Sequence, residues 1–132
     1  MFILKASYPG YSGGDLWLSY SGDNYVILYA DSAVHMFHTE QQHLQAPSGN
    51  FPLAINPKEL ANYGGRASWR DCAFNMEGDP VLFIDDQIAL KATPDVRLCL
   101  RAGDDRRVWW SGGLNDPSTH YLTFQKFPYG KS

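Results

Sequence analysis

The chain has 132 residues, of which 44% are hydrophobic and 14% aromatic, and a formal net charge of −3 at pH 7. This length is typical of one domain with its own core, so we expect a single domain over residues 1–132. The composition excludes a disordered chain, and a mean hydropathy of −0.35 without a long apolar run excludes a membrane-spanning segment. The acidic balance also argues against a nucleic-acid-binding protein, which would carry a basic stripe.

The amino-terminal sequence predicts a cytoplasmic protein, and the two cysteines are expected to be free. MFILKASYPG has no basic stretch followed by a sufficiently long apolar one, so a secretory signal is not visible and we expect a cytoplasmic protein. Cys72 and Cys99 each lie in an apolar, strand-like segment. Two buried free thiols are therefore favoured over a disulfide.

Along the chain, short apolar runs with alternating polar residues are separated by Gly, Asp, Asn and Pro. This pattern is typical of antiparallel strands joined by tight turns. We predict an all-β fold, an antiparallel meander that forms a sandwich or barrel of about 9–11 short strands. The predicted strands span residues 2–7, 16–20, 25–29, 34–39, 51–55, 69–76, 81–84, 88–92, 96–101, 107–111 and 120–127.

One short helix is predicted near residues 57–63. Asn56 suits the position that caps a helix, and Pro57 suits its first turn. Glu59 completes a capping box, and Gly64 fits the left-handed residue that ends a helix. The helix would close one end of the sheet.

Two stretches, 21–29 (SGDNYVILY) and 75–83 (NMEGDPVLF), share a spacing of polar and apolar residues. This spacing resembles the repeat of bulb-type mannose-binding lectins, Gln-x-Asp-x-Asn-x-Val-x-Tyr, although Ser21 and Tyr25 depart from it. In that family the polar side chains hydrogen-bond a pair of sugar hydroxyls, and the aliphatic residue packs against the sugar ring. The resemblance implies two groups of carbohydrate-binding residues, Asp23 and Tyr29 in one, and Asn75, Glu77, Asp79 and Phe83 in the other.

Two patterns suggest catalysis or metal binding. Residues 10–14 satisfy the G-x-S-x-G pattern of a nucleophile elbow, but a strand follows them where the elbow needs a helix, so a glycine-rich loop is favoured. His35, His38 and His43 lie within nine residues. On a strand the first two point to opposite faces, and only a helix over 32–44 would bring them together. We expect edge or surface histidines, with no metal and no cofactor.

Neighbouring aspartates form two pairs, Asp85 with Asp86 and Asp104 with Asp105. Two carboxylates could flank a glycosidic bond in an enzyme. Both pairs fall at predicted turns, where an aspartate side chain accepts hydrogen bonds from the local backbone, so we predict turns.

Trp109 and Trp110 stand beside Arg106 and Arg107. Because adjacent residues of a strand face opposite ways, one indole is expected in the core and the other outside. An exposed tryptophan near arginines is typical of a protein-binding hot spot or of a platform on which a sugar stacks. Alternatively, the loop that follows the strand covers it.

These features favour a non-enzymatic binding protein. The first hypothesis is a cytoplasmic protein-binding inhibitor, such as a bacterial immunity protein that neutralises a cognate toxin. Its protein partner is expected to be basic, because the chain is net acidic and carries carboxylates at its turns. The alternative is a carbohydrate-binding, lectin-like module, and the third hypothesis is a small metal-dependent enzyme. The residues predicted to bind the partner are Trp109, Trp110, Asp104, Asp105, Asp85 and Asp86.

Overall fold

The computed structural model describes residues 1–21, 25–46, 51–55, 64–69, 79–101, 106–112 and 119–128. In these residues the chain forms thirteen β-strands, and every pairing between them is antiparallel. The predicted all-β fold is therefore confirmed. The helix predicted near residues 57–63 lies outside the described residues.

The strands are β1 (Phe2–Ser7), β2 (Leu16–Tyr20), β3 (Val26–Tyr29), β4 (Phe37–His38), β5 (Leu44–Ala46), β6 (Phe51–Ile55), β7 (Gly64–Trp69), β8 (Val81–Ile84), β9 (Gln87–Leu90), β10 (Val96–Arg101), β11 (Val108–Gly112), β12 (Thr119–Tyr121) and β13 (Thr123–Pro128). Five predicted strands have the observed bounds, namely 2–7, 16–20, 51–55, 81–84 and 96–101.

The described strands form two sheets. The smaller sheet has the order β13-β1-β2-β3, and the larger has the order β4-β5-β6-β7-β11-β10-β9-β8 with β12 also paired to β10. Most neighbours are consecutive in the chain, as a meander requires. The pairs β1–β13, β7–β11 and β10–β12 are the exceptions, and they bring distant segments together.

A single buried cluster holds the two sheets together. Leu4, Leu18 and Leu28 of the smaller sheet belong to the same cluster as Leu98 and Trp110 of the larger one, and all five are completely buried. Each such leucine stabilises the fold by about 1.5–3 kcal/mol relative to an exposed side chain. Where buried residues alternate with less buried ones, as at Leu4 and Ala6 of β1, one face of the strand points into this cluster.

The structure contains one strand, β7, that the sequence did not predict. It spans Gly64–Trp69 and begins at a residue that the sequence placed at the end of a helix, whereas the strand predicted over residues 69–76 lies outside the described residues from residue 70 onward. Gly65 lies opposite Trp110 in the register, and both are buried. A glycine inside a strand is typical of a site where another group approaches closely, and here the neighbour is the large indole.

Two further segments differ from the prediction. The strand predicted over residues 34–39 is reduced to β4, and β5 follows it without having been predicted. The strand predicted over residues 120–127 is divided at Leu122, whose amide donates to the carbonyl of Leu98. The chain passes from the larger sheet to the smaller one at this residue.

Candidate partner-binding surface

The two adjacent tryptophans of β11 face opposite sides of the larger sheet, as predicted. Trp110 is completely buried, and its Nε1 donates to the carbonyl oxygen of Ala54 at 3.3 Å. Trp109 is half-buried on the outer face. Trp110 was expected to contact a partner, and its burial corrects that expectation, since only Trp109 has surface to offer in this conformation.

Strand register places Trp109 in a row of side chains on the outer face. It lies opposite Arg66 of β7 on one side and opposite Cys99 of β10 on the other. Cys99 in turn lies opposite Tyr121 of β12. Because directly opposed residues of neighbouring strands share a face, the row crosses four strands.

Cation–π contacts link the side chains around Trp109. The guanidinium carbon of Arg101 lies 4.3 Å from the centroid of the Trp109 ring, and that of Arg66 lies 5.9 Å from it. Arg66 also covers the ring of Tyr25, at 3.6 Å from its centroid. Each such contact contributes about 0.5–1 kcal/mol at an exposed site. We call Tyr25, Arg66, Trp109 and Arg101 the Trp109 surface.

Further arginines extend the Trp109 surface. Arg97 lies on the same face of β10 as Arg101, and it donates to the side-chain oxygen of Gln87 at 2.7 Å and to the carbonyl of Pro94 at 3.1 Å. Arg107 precedes β11 and is exposed. The described part of this face is therefore rich in cations, although the chain has a net charge of −3.

Cys99 lies beneath the Trp109 surface as a free and completely buried thiol. Burial raises the pKa of the Cys99 thiol from 9.0 to about 12, and the positive charge of Arg101 lowers it by a smaller amount. A thiol with so high a pKa stays protonated near neutral pH and is a poor nucleophile. The expectation of a buried free thiol is confirmed for Cys99, and Cys72 lies outside the described residues.

The predicted turn at Asp85 and Asp86 is confirmed. Both residues are exposed and have left-handed backbones, with φ of 50° and 66°, and they join β8 to β9 as a two-residue hairpin turn. The next residue, Gln87, accepts the hydrogen bond from Arg97, so the turn borders the arginine-rich face. Asp104 and Asp105, also predicted to bind the partner, lie outside the described residues.

The structure places His38 on a strand, against two backbone carbonyls. His38 belongs to β4 and not to a helix, and its Nε2 lies 3.1 Å from the carbonyl oxygen of Gln42 and 3.0 Å from that of Val81. Since both acceptors are carbonyls, Nε2 carries a hydrogen and is not available to a metal. No group of three or more His, Cys, Asp or Glu residues in the described segments could hold a metal ion.

The G-x-S-x-G pattern lies in a loop, as expected, and β2 follows it. The hydroxyl of Tyr11 donates to the carbonyl of Gly14 at 2.6 Å and closes the loop. A Cβ at Gly13 would lie 2.5 Å from that hydroxyl, so a side chain there would displace the tyrosine ring. The pattern is explained by loop geometry.

Three of the six residues implied by the lectin resemblance, Asp23, Asn75 and Glu77, lie outside the described residues. Tyr29 is half-buried in β3, opposite Trp17. Asp79 precedes β8, with its amide donating to Leu53, and Phe83 lies within β8 with its ring 5.4 Å from that of His38. Carbohydrate binding by these residues stays a prediction.

The sequence did not single out three members of the Trp109 surface as binding residues, namely Tyr25, Arg66 and Arg101. Arg66 lies in a strand that was not predicted, and Tyr25 comes from the other sheet. A signal was present for Arg101 alone, since the alternation of β10 places Arg97 and Arg101 on one polar face.

In the described part of the chain, no helix is long and apolar enough to cross a membrane. No protein-family model matches the sequence, and neither a curated protein nor a solved structure does.

Proposed function

We propose that this chain is a non-enzymatic protein-binding inhibitor of the immunity-protein type, which neutralises a toxin by covering it with the Trp109 surface. The observation that carries the proposal is the set of cation–π contacts that join Trp109 to Arg101 and to Arg66, and Arg66 to Tyr25. Tryptophan, tyrosine and arginine are the residue types most enriched among hot spots of protein interfaces.

The cation–π contacts hold the side chains of this surface in place before a partner binds. A ring already held by two guanidinium groups loses little conformational freedom when a partner covers it, so more of the contact energy remains as affinity. The planar guanidinium of Arg101 also presents donors in the geometry that matches a carboxylate. Inhibition follows from occlusion, because a toxin whose active site is covered by this sheet face no longer admits its substrate.

The charge of the described surface favours carboxylates on the part of the partner that meets Trp109. Arg97, Arg101 and Arg107 lie on or beside that part of the sheet. The expectation of a basic partner rests on the net charge of −3 and on Asp104 and Asp105, and it stays a prediction for the partner as a whole. A partner that is basic overall and carries an acidic patch opposite Trp109 satisfies both expectations.

The test compares tagged wild-type protein with two tryptophan variants as baits in lysate of the source organism. Trp109→Ala removes the centre of the surface, and Trp17→Ala is the matched control, because Trp17 is a half-buried tryptophan on the smaller sheet. We expect one protein, captured stoichiometrically by wild type and by the control, to bind Trp109→Ala at least about 30-fold more weakly, which corresponds to a loss of about 2 kcal/mol. Wild type, but not Trp109→Ala, should inhibit the activity of the captured protein.

Equal capture by Trp109→Ala and wild type would remove this surface from consideration. Release of many glycoproteins by free sugars would favour the lectin-like alternative. In that case variants at Asp23 and Glu77 are the next to be measured.

A further inference from the structure

An open groove of about 820 Å³ lies between the edges of the two sheets. β13 is the last strand of the smaller sheet, and β8 is the last strand of the larger one, in the order that the described residues give. Side chains from both strands line the groove, among them Lys126 of β13 and Phe83 of β8. Two edge strands therefore border one cavity.

The backbone of β13 directs hydrogen-bonding groups into this groove. The amide of Phe124 donates to the carbonyl of Asp86 at 2.7 Å, so it points away from β1. In an antiparallel pair every second residue points the same way, so the N–H and C=O of Lys126 also face away from β1. No backbone hydrogen bond to Lys126 is found on that side in the described residues.

The backbone of β8, on the opposite wall of the groove, also has hydrogen-bonding groups that point away from its own sheet. The amide of Val81 donates to Gln42 at 2.8 Å and thus points away from β9. By the same alternation, the N–H and C=O of Phe83 face outward, and the described segments supply them with no backbone partner. Unpaired edge groups of this kind are a template for one more strand.

The groove is lined by two lysines, Lys5 and Lys126, and by one carboxylate residue, Asp86, and no ion pair to Lys126 is found in the described residues. The ammonium of Lys126 lies 4.1 Å from the centroid of Phe83 and 5.0 Å from that of Phe2, and Lys126 is exposed. The ion pair found in the described residues joins Lys5, also in the groove, to Asp15. Lys126 is therefore available to a carboxylate that enters the groove from outside.

We propose that an extended, acidic segment of a partner protein binds in this groove as an added strand on β13, with one of its carboxylates paired to Lys126. Strand addition supplies main-chain hydrogen bonds, and the side-chain contact supplies selectivity. Because the Phe124 amide already bonds Asp86, the open part of β13 runs over residues 125–128, about 13 Å, and the added segment pairs there. The site is separate from the Trp109 surface and does not depend on the function proposed for it.

The experiment selects peptides of about eight random residues, displayed on phage, against the full chain. We expect enriched peptides to contain Asp or Glu within a strand-forming sequence and to contain no proline at the centre. When an enriched peptide is added to the protein, hydrogen exchange of the Lys126 amide should slow strongly. The Phe124 amide, already bonded to Asp86, should change little.

Two variants and a control separate the contribution of the Lys126 charge from that of the Lys126 backbone amide. Lys126→Gln removes the charge and keeps the amide, and should weaken binding about tenfold, as expected for loss of one charge-assisted hydrogen bond. Lys126→Pro also removes the amide that faces the groove and should abolish binding, while the ladder to β1 does not use that amide. Lys91→Gln, at an exposed lysine after β9, is the matched control and should bind normally.

Urea unfolding of each variant confirms that the protein is folded. The proposal is overturned if no peptide is enriched relative to a selection on Lys126→Pro, or if an enriched peptide binds that variant as well as wild type. It is also overturned if the Lys126 amide is already protected in the free protein by a dimer that Lys126→Pro dissociates, since the occupant would then be a second copy. Enrichment of basic peptides would equally contradict it.

Discussion

Arg101 and Trp109 lie on the neighbouring strands β10 and β11, with the guanidinium carbon 4.3 Å from the ring centroid. In the register Trp109 opposes Cys99, so Arg101 is its diagonal neighbour two residues further along β10. This offset lets the long arginine side chain reach over the indole. The positive charge of the same side chain also acts on the buried Cys99 thiol.

Replacing the two tryptophans should have opposite consequences for stability and binding. Trp110→Ala removes a completely buried indole and its hydrogen bond to Ala54, so the free energy of unfolding should fall by about 3–5 kcal/mol. Trp109→Ala removes a half-buried ring and should cost only about 1 kcal/mol. Urea unfolding monitored by circular dichroism measures both values, and similar losses would contradict the assignment of one indole to the core.

The Cys99 thiol should make stability depend on pH in the alkaline range. Its folded pKa of about 12 exceeds the ordinary value of 9.0, so its contribution is complete below pH 9 and is lost as the pH rises through 12. Between about pH 8 and about pH 10.5, wild type should lose about 2 kcal/mol more than Cys99→Ala. Urea unfolding at both pH values gives the difference. Equal losses would show that the thiol is not shielded.

Substitutions in the hairpin turn at Asp85 and Asp86 should stabilise the protein. Both backbones are left-handed, which asparagine and glycine tolerate better than aspartate, and Asn-Gly is the preferred pair for such a turn. The double change Asp85→Asn with Asp86→Gly should raise the free energy of unfolding by about 0.5–1 kcal/mol. Asp31→Asn, at an exposed aspartate, controls for removal of negative charge. Thermal unfolding measures the effect. An increase in melting temperature equal to that of the control would contradict the left-handed geometry of the turn.

His38 should stabilise the protein through hydrogen bonds. Its Nε2 donates to the carbonyls of Gln42 and Val81, and so links the turn after β4 to the start of β8. His38→Phe keeps a ring but removes the donor, and should cost about 1–2 kcal/mol in urea unfolding. His43→Ala is the control, because His43 uses its backbone amide to bond Thr39. Comparable losses in the two variants would count against this role.

The elements that the sequence predicted with the right bounds have a clear apolar pattern between turn residues. β10 follows from apolar residues at alternate positions, β8 follows from a short run that is apolar throughout, and the turn after β8 follows from its aspartates. β7 could not be predicted in this way, because its first two residues are glycines and carry no side-chain pattern. β7 pairs with β11, which is distant in the sequence, and no local sequence pattern predicts this pairing.

The candidate site could be predicted only where it follows from a local pattern within one strand. The sequence placed one tryptophan outside the core, because adjacent residues of a strand alternate. It could not place Tyr25 and Arg66 beside that tryptophan, because the three lie on β7, β11 and the segment leading into β3. Sites assembled from distant strands become visible only when the pairing of the strands is known.

The pairing of β1 with β13 imposes an order on folding. Ser7 lies opposite Thr123, at a sequence separation of 116 residues. During synthesis β1 leaves the ribosome long before β13 exists, so the smaller sheet stays incomplete until the chain is almost finished. Contacts of such long range slow folding. A chain shortened before residue 123 would keep an unpaired edge on β1, where misassembly with other strands begins.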